Sequence, residues 1–176
     1  MPATIIMGGQ WGDEGKGKLT DALAGRAQMV VRANGGANAG HTVQTDRGTF
    51  KMHLVPSGIL NPDCACIVGA GVVLDPISFL KELDQLHEQG ISTDRLKISA
   101  RAHVVLPYHA AFDRVQEDSL EEGKIGTTLR GIGPAYSDKA ARLGLRVSDL
   151  VEPTVAATRL RQLIDLKNRQ LDLLYG

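Results

Sequence analysis

The chain has 176 residues, enough for one substantial core, so a single domain is expected. Lys plus Arg and Asp plus Glu each number 20, and the net charge of zero gives no general pull toward nucleic acid or an anionic membrane. No apolar run approaches the roughly 20 residues of a membrane helix, and the first residues lack the basic and apolar regions of a signal peptide. Cys64 and Cys66 sit one residue apart in an apolar run. That spacing suits neither a disulfide nor a zinc site, so buried free thiols in a reducing, cytoplasmic setting are expected.

Residues 3–7 are an apolar run that predicts a buried strand. Residues 8–18 follow as Gly-Gly-Gln-Trp-Gly-Asp-Glu-Gly-Lys-Gly-Lys, ahead of a helix predicted over 19–27 and closing near Gly25. Glycines and lysines at a strand-to-helix junction make a phosphate cradle. The glycines let successive backbone N–H groups turn toward one anion, the helix start adds partial positive charge, and lysine adds a full one. The spacing Gly12-x4-Gly17-Lys18 meets the phosphate-loop pattern except at its last position, where Leu19 replaces the hydroxyl residue that binds magnesium. An oxygen ligand elsewhere must then hold the metal, and Asp13 is the candidate. A carboxylate among phosphates repels them unless a metal or a proton lies between, so Asp13 is also a candidate catalytic group.

Residues 29–33 predict a second buried strand, parallel to the first through the helical crossover. Strand, glycine loop, helix and strand open an α/β fold, in which active loops gather at the carboxyl ends of strands. The next segment, 34–42, sets Asn38 and His41 among small residues that let a ligand approach closely. A hairpin is expected over 42–54, turning at Asp46-Arg47-Gly48. Residues 67–74, interrupted by Gly69 and Gly71, predict a buried strand. A helix then starts with Asp75 as its cap and Pro76 in its first turn, burying Ile77, Leu80, Leu83 and Leu86, and Gly90 closes it. His87 on this helix is expected to be exposed. Short strands are expected at 96–100 and 104–106, and a helix over 107–122 with Tyr108, Ala111, Phe112 and Val115 inward. His103 and His109 flank its start without a ligand spacing. The segment 126–136 carries Thr127, Thr128 and Arg130 among Gly126, Gly131, Gly133 and Pro134, a set that suits a phosphate or sugar edge as well as a structural loop. A helix over 135–143 follows, with Arg142 reading as a solvated surface arginine. The last helix, 151–175, has Leu160, Leu163, Ile164, Leu171 and Leu174 on one side, a stripe that implies a packing partner.

Three stretches, Gly-Gln-Trp-Gly-Asp-Glu-Gly-Lys-Gly-Lys at 9–18, Asn-Gly-Gly-Ala-Asn-Ala-Gly-His-Thr at 34–42 and Gly-Thr-Thr-Leu-Arg-Gly-Ile-Gly-Pro-Ala-Tyr at 126–136, together resemble the adenylosuccinate synthetase family. Family members are more than twice this length, so the resemblance is to the amino-terminal portion of one larger domain, spanning 1–176. It implies an α/β fold, a mostly parallel sheet with flanking helices, phosphate-loop NTPase-like and truncated. It implies GTP-dependent ligation of L-aspartate to inosine 5′-monophosphate (IMP) through a 6-phosphoryl intermediate, giving adenylosuccinate, GDP and phosphate in AMP biosynthesis.

By the resemblance, Asp13 is the general base and His41 the acid, and Mg2+ is held by Asp13 and the Gly40 carbonyl. Gly12, Asp13, Glu14, Gly15, Lys16, Gly17 and Lys18 match GTP-binding positions, with Gly40, His41 and Thr42. Asp13, Glu14, Gly15 and Lys16 match the IMP site, with Asn38, Ala39, Gly40, His41, Thr128 and Arg142. The family arginine matching Arg142 reaches the nucleotide phosphate of a second subunit, which implies a homodimer. Leu129 departs from the family, which carries glycine there. The segments that recognise guanine and L-aspartate fall outside these residues. Taken alone, the chain could instead be a non-catalytic phosphate-binding piece. A divergent phosphate-loop GTPase or kinase is disfavoured by Leu19 and by the placement of Asp13 and His41.

Overall fold

The strand β4 (Ala65–Leu74) is the centre of the sheet. The structure, a computed structural model, describes residues 2–9, 14–45 and 48–175. Strand β1 (Met29–Gly35) pairs with β4 in parallel, from Met29 opposite Ala65 to Gly35 opposite Val72. On the other side, β5 (Leu96–Ile98) pairs with β4 in parallel, and β6 (His103–Val104) pairs, also in parallel, with the last residues of β4. A mostly parallel sheet with helices around it is the expected α/β class.

The β1–β4 register shifts between Arg32 and Asn34, where β4 carries one extra residue. Gly69 and Gly71 flank that bulge. A Cβ on Gly69 would lie 2.9 Å from the Arg32 carbonyl oxygen, and one on Gly71 would overlap the carbonyl of Ala33. The two glycines that interrupt the apolar run therefore mark a close backbone approach.

Strands β2 (His41–Thr45) and β3 (Gly48–Met52) form the expected hairpin, which starts at His41 itself. Of its turn, Asp46 and Arg47 lie outside the described residues. Phe50, Met52, Leu54 and Val55 are buried with Cys66, Val68 and Val72, so the hairpin covers one face of the sheet. Each such side chain contributes about 1.5–3 kcal/mol on burial. Cys64 and Cys66 are free and buried, as expected, and burial pushes the Cys66 thiol up to about 12.

Helix α1 (Lys16–Ala24) begins three residues earlier than expected, so Lys16, Gly17 and Lys18 form its first turn. Helix α2 (Pro76–Glu88) starts as predicted: the Asp75 carboxylate accepts from Ile77 N at 3.0 Å and Ser78 N at 3.3 Å, with Pro76 in the first turn. Its inner face differs from the prediction. Phe79, Glu82 and Leu86 are buried, whereas Ile77 and Leu80 are about 60% exposed. Glu82 faces inward because its carboxylate accepts the backbone N–H groups of His53, Leu54 and Val55. His87 is exposed, as expected, and bonds Thr93 Oγ1. Gly90, at φ +74°, lies two residues past the helix.

Helix α3 (Pro107–Ser119) buries Phe112 with His109, Asp113 and Glu117, while Ala111 is exposed. Helix α4 (Ile132–Ala140) starts and ends three residues before its predicted bounds, leaving Arg142 beyond its end. After the short α5 (Val147–Leu150), α6 (Pro153–Tyr175) packs Leu163 against Val104 and Leu145, with Leu160 beside them. Ile164 and Leu174, expected on the packed side, are 40% and 68% exposed.

Residues 3–7 are not a strand. Residues 2–9 run without regular structure, and Ile5 and Met7 are 81% and 83% exposed. An apolar run gains strand structure only from a neighbour that takes its backbone groups, and among the described residues no strand pairs with it. Strand β1 is therefore parallel to β4 rather than to this segment.

Candidate functional site

The site lies where the start of α1 meets the start of β2. Gly15 precedes α1 at φ +75°, and as the N-cap residue it makes no side-chain cap hydrogen bond. The first N–H groups of α1 thus keep their intrinsic capacity for an anion. Gly17 lies flat against His41: a Cβ there would come within 2.6 Å of the imidazole Cγ. The absence of a side chain at Gly17 is what lets the two motifs meet. The Ser57 hydroxyl donates to the Gly17 carbonyl at 3.2 Å and fixes this turn from below. Lys16 forms an ion pair with Glu14, beside the backbone of Gly8.

His41 is partly buried. Burial holds its imidazole below the ordinary value, and the nearby charges of Arg32 and His53 act in the same direction. In this state the ring is neutral near pH 7 and poised to gain a proton when an anion arrives. Gly40, whose Cα faces the His53 ring, is exposed with Asn38 and Ala39, and Thr42 is exposed on β2. Gly12 and Asp13 lie outside the described residues.

Arg32 organises the loop after β1. Its guanidinium donates to the Gly36 carbonyl at 2.7 Å and to the carbonyl of His53, joining the loop to the end of the hairpin. Burial lowers the Arg32 pKa, and the Glu82 charge partly restores it. Tyr136 completes the support, with its hydroxyl accepting from Gly35 N at 2.7 Å and donating to the Gly71 carbonyl at 2.8 Å.

The third motif is pinned from α3. Asp113 accepts from Gly131 N at 2.8 Å and Glu117 from Gly126 N at 2.5 Å, holding both ends of the loop that carries Thr128. Arg130 donates to the Ala37 carbonyl, so this loop is tied to the Asn38–His41 segment. Thr128 is exposed, and Leu129 sits at φ +54°, a left-handed conformation that glycine adopts freely. Arg142 is exposed just past α4 at φ +61°. Arg142 N donates to the Lys139 carbonyl and Leu143 N to the Asp138 carbonyl, a helix ending that usually places glycine where Arg142 stands.

The three motifs are thus connected: the first to the second through Gly17 and His41, the second to the third through Ala37 and Arg130. Arg142 stands apart from them. The motifs themselves were readable in the sequence, but the residues that position them were missed. A lone Arg32 inside an apolar strand is the one signal that could have been followed. Asp113, Glu117 and Glu82 carry none, because a charged residue on a helix reads as solvent-facing until its neighbours are known.

A family model for adenylosuccinate synthetase matches residues 5–175. An adenylosuccinate synthetase of Pelotomaculum thermopropionicum is 54% identical over the whole chain, which covers 41% of that protein. One from an Exiguobacterium species is 50% identical over 99% of the chain, again 41% of that protein. The structure of a fully ligated adenylosuccinate synthetase from Plasmodium falciparum superposes with a TM-score of 0.85 at 38% identity, over 95% of this chain and 39% of that one. The succinoaminodeoxyadenylate synthetase of cyanophage S-2L, bound to dGMP and to dATP as an energy donor, superposes at a TM-score of 0.63 with 28% identity, over 81% of this chain. The chain therefore spans about two fifths of the length of these relatives. With a family model matching residues 5–175 and a relative 54% identical over its whole length, the chain belongs to the adenylosuccinate synthetase family.

Proposed function

We propose that this chain provides the phosphate loop and the acid–base pair of a GTP-dependent adenylosuccinate synthetase, a ligase acting on IMP and L-aspartate. The observation that carries the reading is the seating of His41 against Gly17, which puts an imidazole at the mouth of the helix start that takes phosphates. Asp13 would remove the N1 proton of IMP, making O6 the nucleophile toward the γ-phosphoryl group. His41 would gain or share a proton with the oxygens that bear charge during transfer, and its neutral, partly buried state suits that task. The amine of L-aspartate would then displace the 6-phosphate.

The remaining matched positions take the roles that the family implies. Gly12, Glu14, Gly15, Lys16, Gly17 and Lys18 would bind the triphosphate by backbone N–H groups and cations, with Gly40 and Thr42 opposite. Asn38, Ala39 and Thr128 would hold IMP, which the Arg130 tether to Ala37 supports. The start of α1 after Gly15 fits an anion, and the exposed Gly40 offers a hard carbonyl oxygen of the kind magnesium takes. Asp13 and Gly40 would hold the ion, which when bound neutralises charge on the phosphate oxygens. Arg142 keeps a left-handed backbone that glycine would adopt without strain, which fits a side chain retained to reach a second subunit of a homodimer. A cytoplasmic setting agrees with the free thiols.

The test joins this chain to the portion of the P. thermopropionicum relative that lies outside the match. The chimera is expected to form adenylosuccinate, read by ultraviolet absorbance, only with GTP, IMP and L-aspartate together. Asp13→Asn should lower kcat at least about a hundredfold, the low end for general-base catalysis. His41→Asn should lower kcat far more than it changes nucleotide affinity. Near-normal turnover in either variant would remove that residue from the mechanism.

A further inference from the structure

His41 sits on an arm that leaves the sheet at one arginine and returns to the same arginine. Arg32 is the last β1 residue before the register shift, and His53 directly follows β3. Between them lie the loop of residues 36–40, then His41 and the hairpin that it opens. The Arg32 guanidinium closes this arm at its root. It donates to the His53 carbonyl, 21 positions on, to the Gly36 carbonyl at 2.7 Å and to the Asn34 carbonyl at 3.4 Å. All three acceptors are backbone, and among the described residues Arg32 is in no ion pair. This cation in a sheet strand therefore holds main chain rather than an acidic side chain.

The grip falls on both sides of His41. Gly36, which is buried, precedes it in the loop. On the other side, His41 pairs with Met52 across the hairpin, and Met52 is the residue next to His53. The peptide unit that joins His53 to Leu54 is held at both ends: its carbonyl takes Arg32, and its N–H gives to Glu82 Oε2 at 2.9 Å. Glu82 is 5% exposed and also accepts the His53 and Val55 N–H groups, at 2.9 and 3.1 Å. A peptide unit set between a cation and a buried anion makes two charge-assisted bonds that polarise each other. Its position is thus fixed, and with it the cross-strand partner of His41.

We propose that Arg32, working with Glu82, is a positioning residue for His41: by clasping Gly36 and His53 it holds the imidazole against Gly17 at the start of α1. The inference rests on the reading of His41 as the acid of the ligase, and Arg32 acts through His41 rather than on the substrate. The task needs a guanidinium. Its rigid fork reaches carbonyls on two separate segments at once, whereas the lysine ammonium is a point charge on a flexible stem. Misplacing a reacting group by about 1 Å costs on the order of a hundredfold in rate, so a clasp far from the chemistry still governs it.

The experiment compares wild type, Arg32→Ala and Arg32→Lys in the chimera with the P. thermopropionicum portion. Arg32→Ala should lower kcat about a hundredfold. Guanidinium chloride, far below denaturing concentration, should recover at least about tenfold of that loss by filling the vacated fork, and sodium chloride at equal ionic strength should recover none. The KM for L-aspartate should stay within about threefold, because a loss of positioning falls on kcat. Arg32→Lys keeps the charge and the fold but should remain at least about tenfold below wild type. Arg95→Ala is the control: Arg95 is exposed, donates to the Asp63 carbonyl at 2.8 Å, and should show neither the loss nor a response to guanidinium. In parallel, amide hydrogen exchange is followed in the 176-residue chain. Arg32→Ala should speed the amides of β2 and β3 at least about tenfold, with guanidinium slowing them again, while those of β4 keep their rate. Near-normal kcat in Arg32→Ala, or a loss that guanidinium leaves in place, overturns the proposal. A wild-type chimera without turnover would instead defeat the reading of the reaction. The exchange rates then decide Arg32 alone, and hairpin amides that Arg32→Ala does not move overturn the clasp.

Discussion

Three residues hold backbone conformations or contacts that their chemistry would not choose: Gly17 and Leu129 in the connected motifs, and Arg142 apart from them. Gly17 is defined by what it lacks, since any side chain would push His41 off the helix start. Arg142 and Leu129 occupy left-handed backbone at φ +61° and +54°, where a side chain with a Cβ costs about 1–2 kcal/mol. For Leu129 this gives a direct test. Leu129 is 40% exposed, so little burial compensates the strain. Alanine ordinarily stabilises a chain relative to glycine by about 0.5–1 kcal/mol through the unfolded state. Here the order should invert: Leu129→Gly should be more stable than Leu129→Ala by about 0.5–1 kcal/mol in urea unfolding, because only glycine relieves the strain. An alanine variant as stable as the glycine variant would show that the loop relaxes to another backbone. The sequence contained a hint of this strain, because the family resemblance places glycine where Leu129 stands. It held no hint for Arg142, which read as an ordinary surface arginine until its helix was seen to stop at Ala140.

Helices α3, α4 and α6 are joined by one buried carboxylate. Asp138 accepts from His109 Nε2 and from Tyr108 OH, each at 3.1 Å, and from Lys167 Nζ at 2.5 Å. His109 Nδ1 accepts from Leu106 N, so its proton sits on Nε2, where Asp138 takes it. Lys167 also lies over the Tyr108 and Phe112 rings, at 5.7 and 5.2 Å. Burial pushes the Asp138 carboxyl up, but the hydrogen bonds from His109 and Lys167, with their charge, more than offset this and hold it below the usual carboxylate value. A carboxyl lowered on folding stabilises fully above its unfolded pKa, near 3.9, and loses that contribution as pH falls through the folded value. Thermal unfolding should therefore show an acid limb below about pH 4 that Asp138→Asn removes. At pH 7 the same variant leaves Lys167 buried without its partner and should lose about 3–5 kcal/mol. A loss under about 1 kcal/mol would mean that Lys167 reaches water. This cluster shows why the inner faces of the helices were only half legible. The cap of α2 could be read from Asp75-Pro76, because capping is local. The inward turn of Glu82, Asp113, Glu117, Asp138 and Lys167 could not, because each answers a partner at least nine residues away.

At the scale of the molecule, the sheet edge and several apolar stretches stay open to solvent. Met29 and Val31 on β1 are each more than half exposed, Ile5 and Met7 about four fifths, and Leu173 and Leu174 on α6 are 84% and 68% exposed. The relatives are more than twice as long as this chain. Exposed apolar area beyond a few hundred Å² usually finds a partner. The 176 residues alone should therefore self-associate, with a sedimentation coefficient that rises with concentration. The start of α1, proposed to take phosphates, depends on a few neighbours, Gly15, Gly17, Ser57 and His41, and is expected to survive in isolation. The groups it would offer an anion are backbone N–H groups and lysines, which carry no information about the base. Triphosphate binding by the chain alone should thus be weak, equal for GTP and ATP, and unaccompanied by adenylosuccinate formation. Calorimetry that shows GTP preferred tenfold or more (about 1.4 kcal/mol), or any turnover, would place base recognition or the whole reaction within these residues.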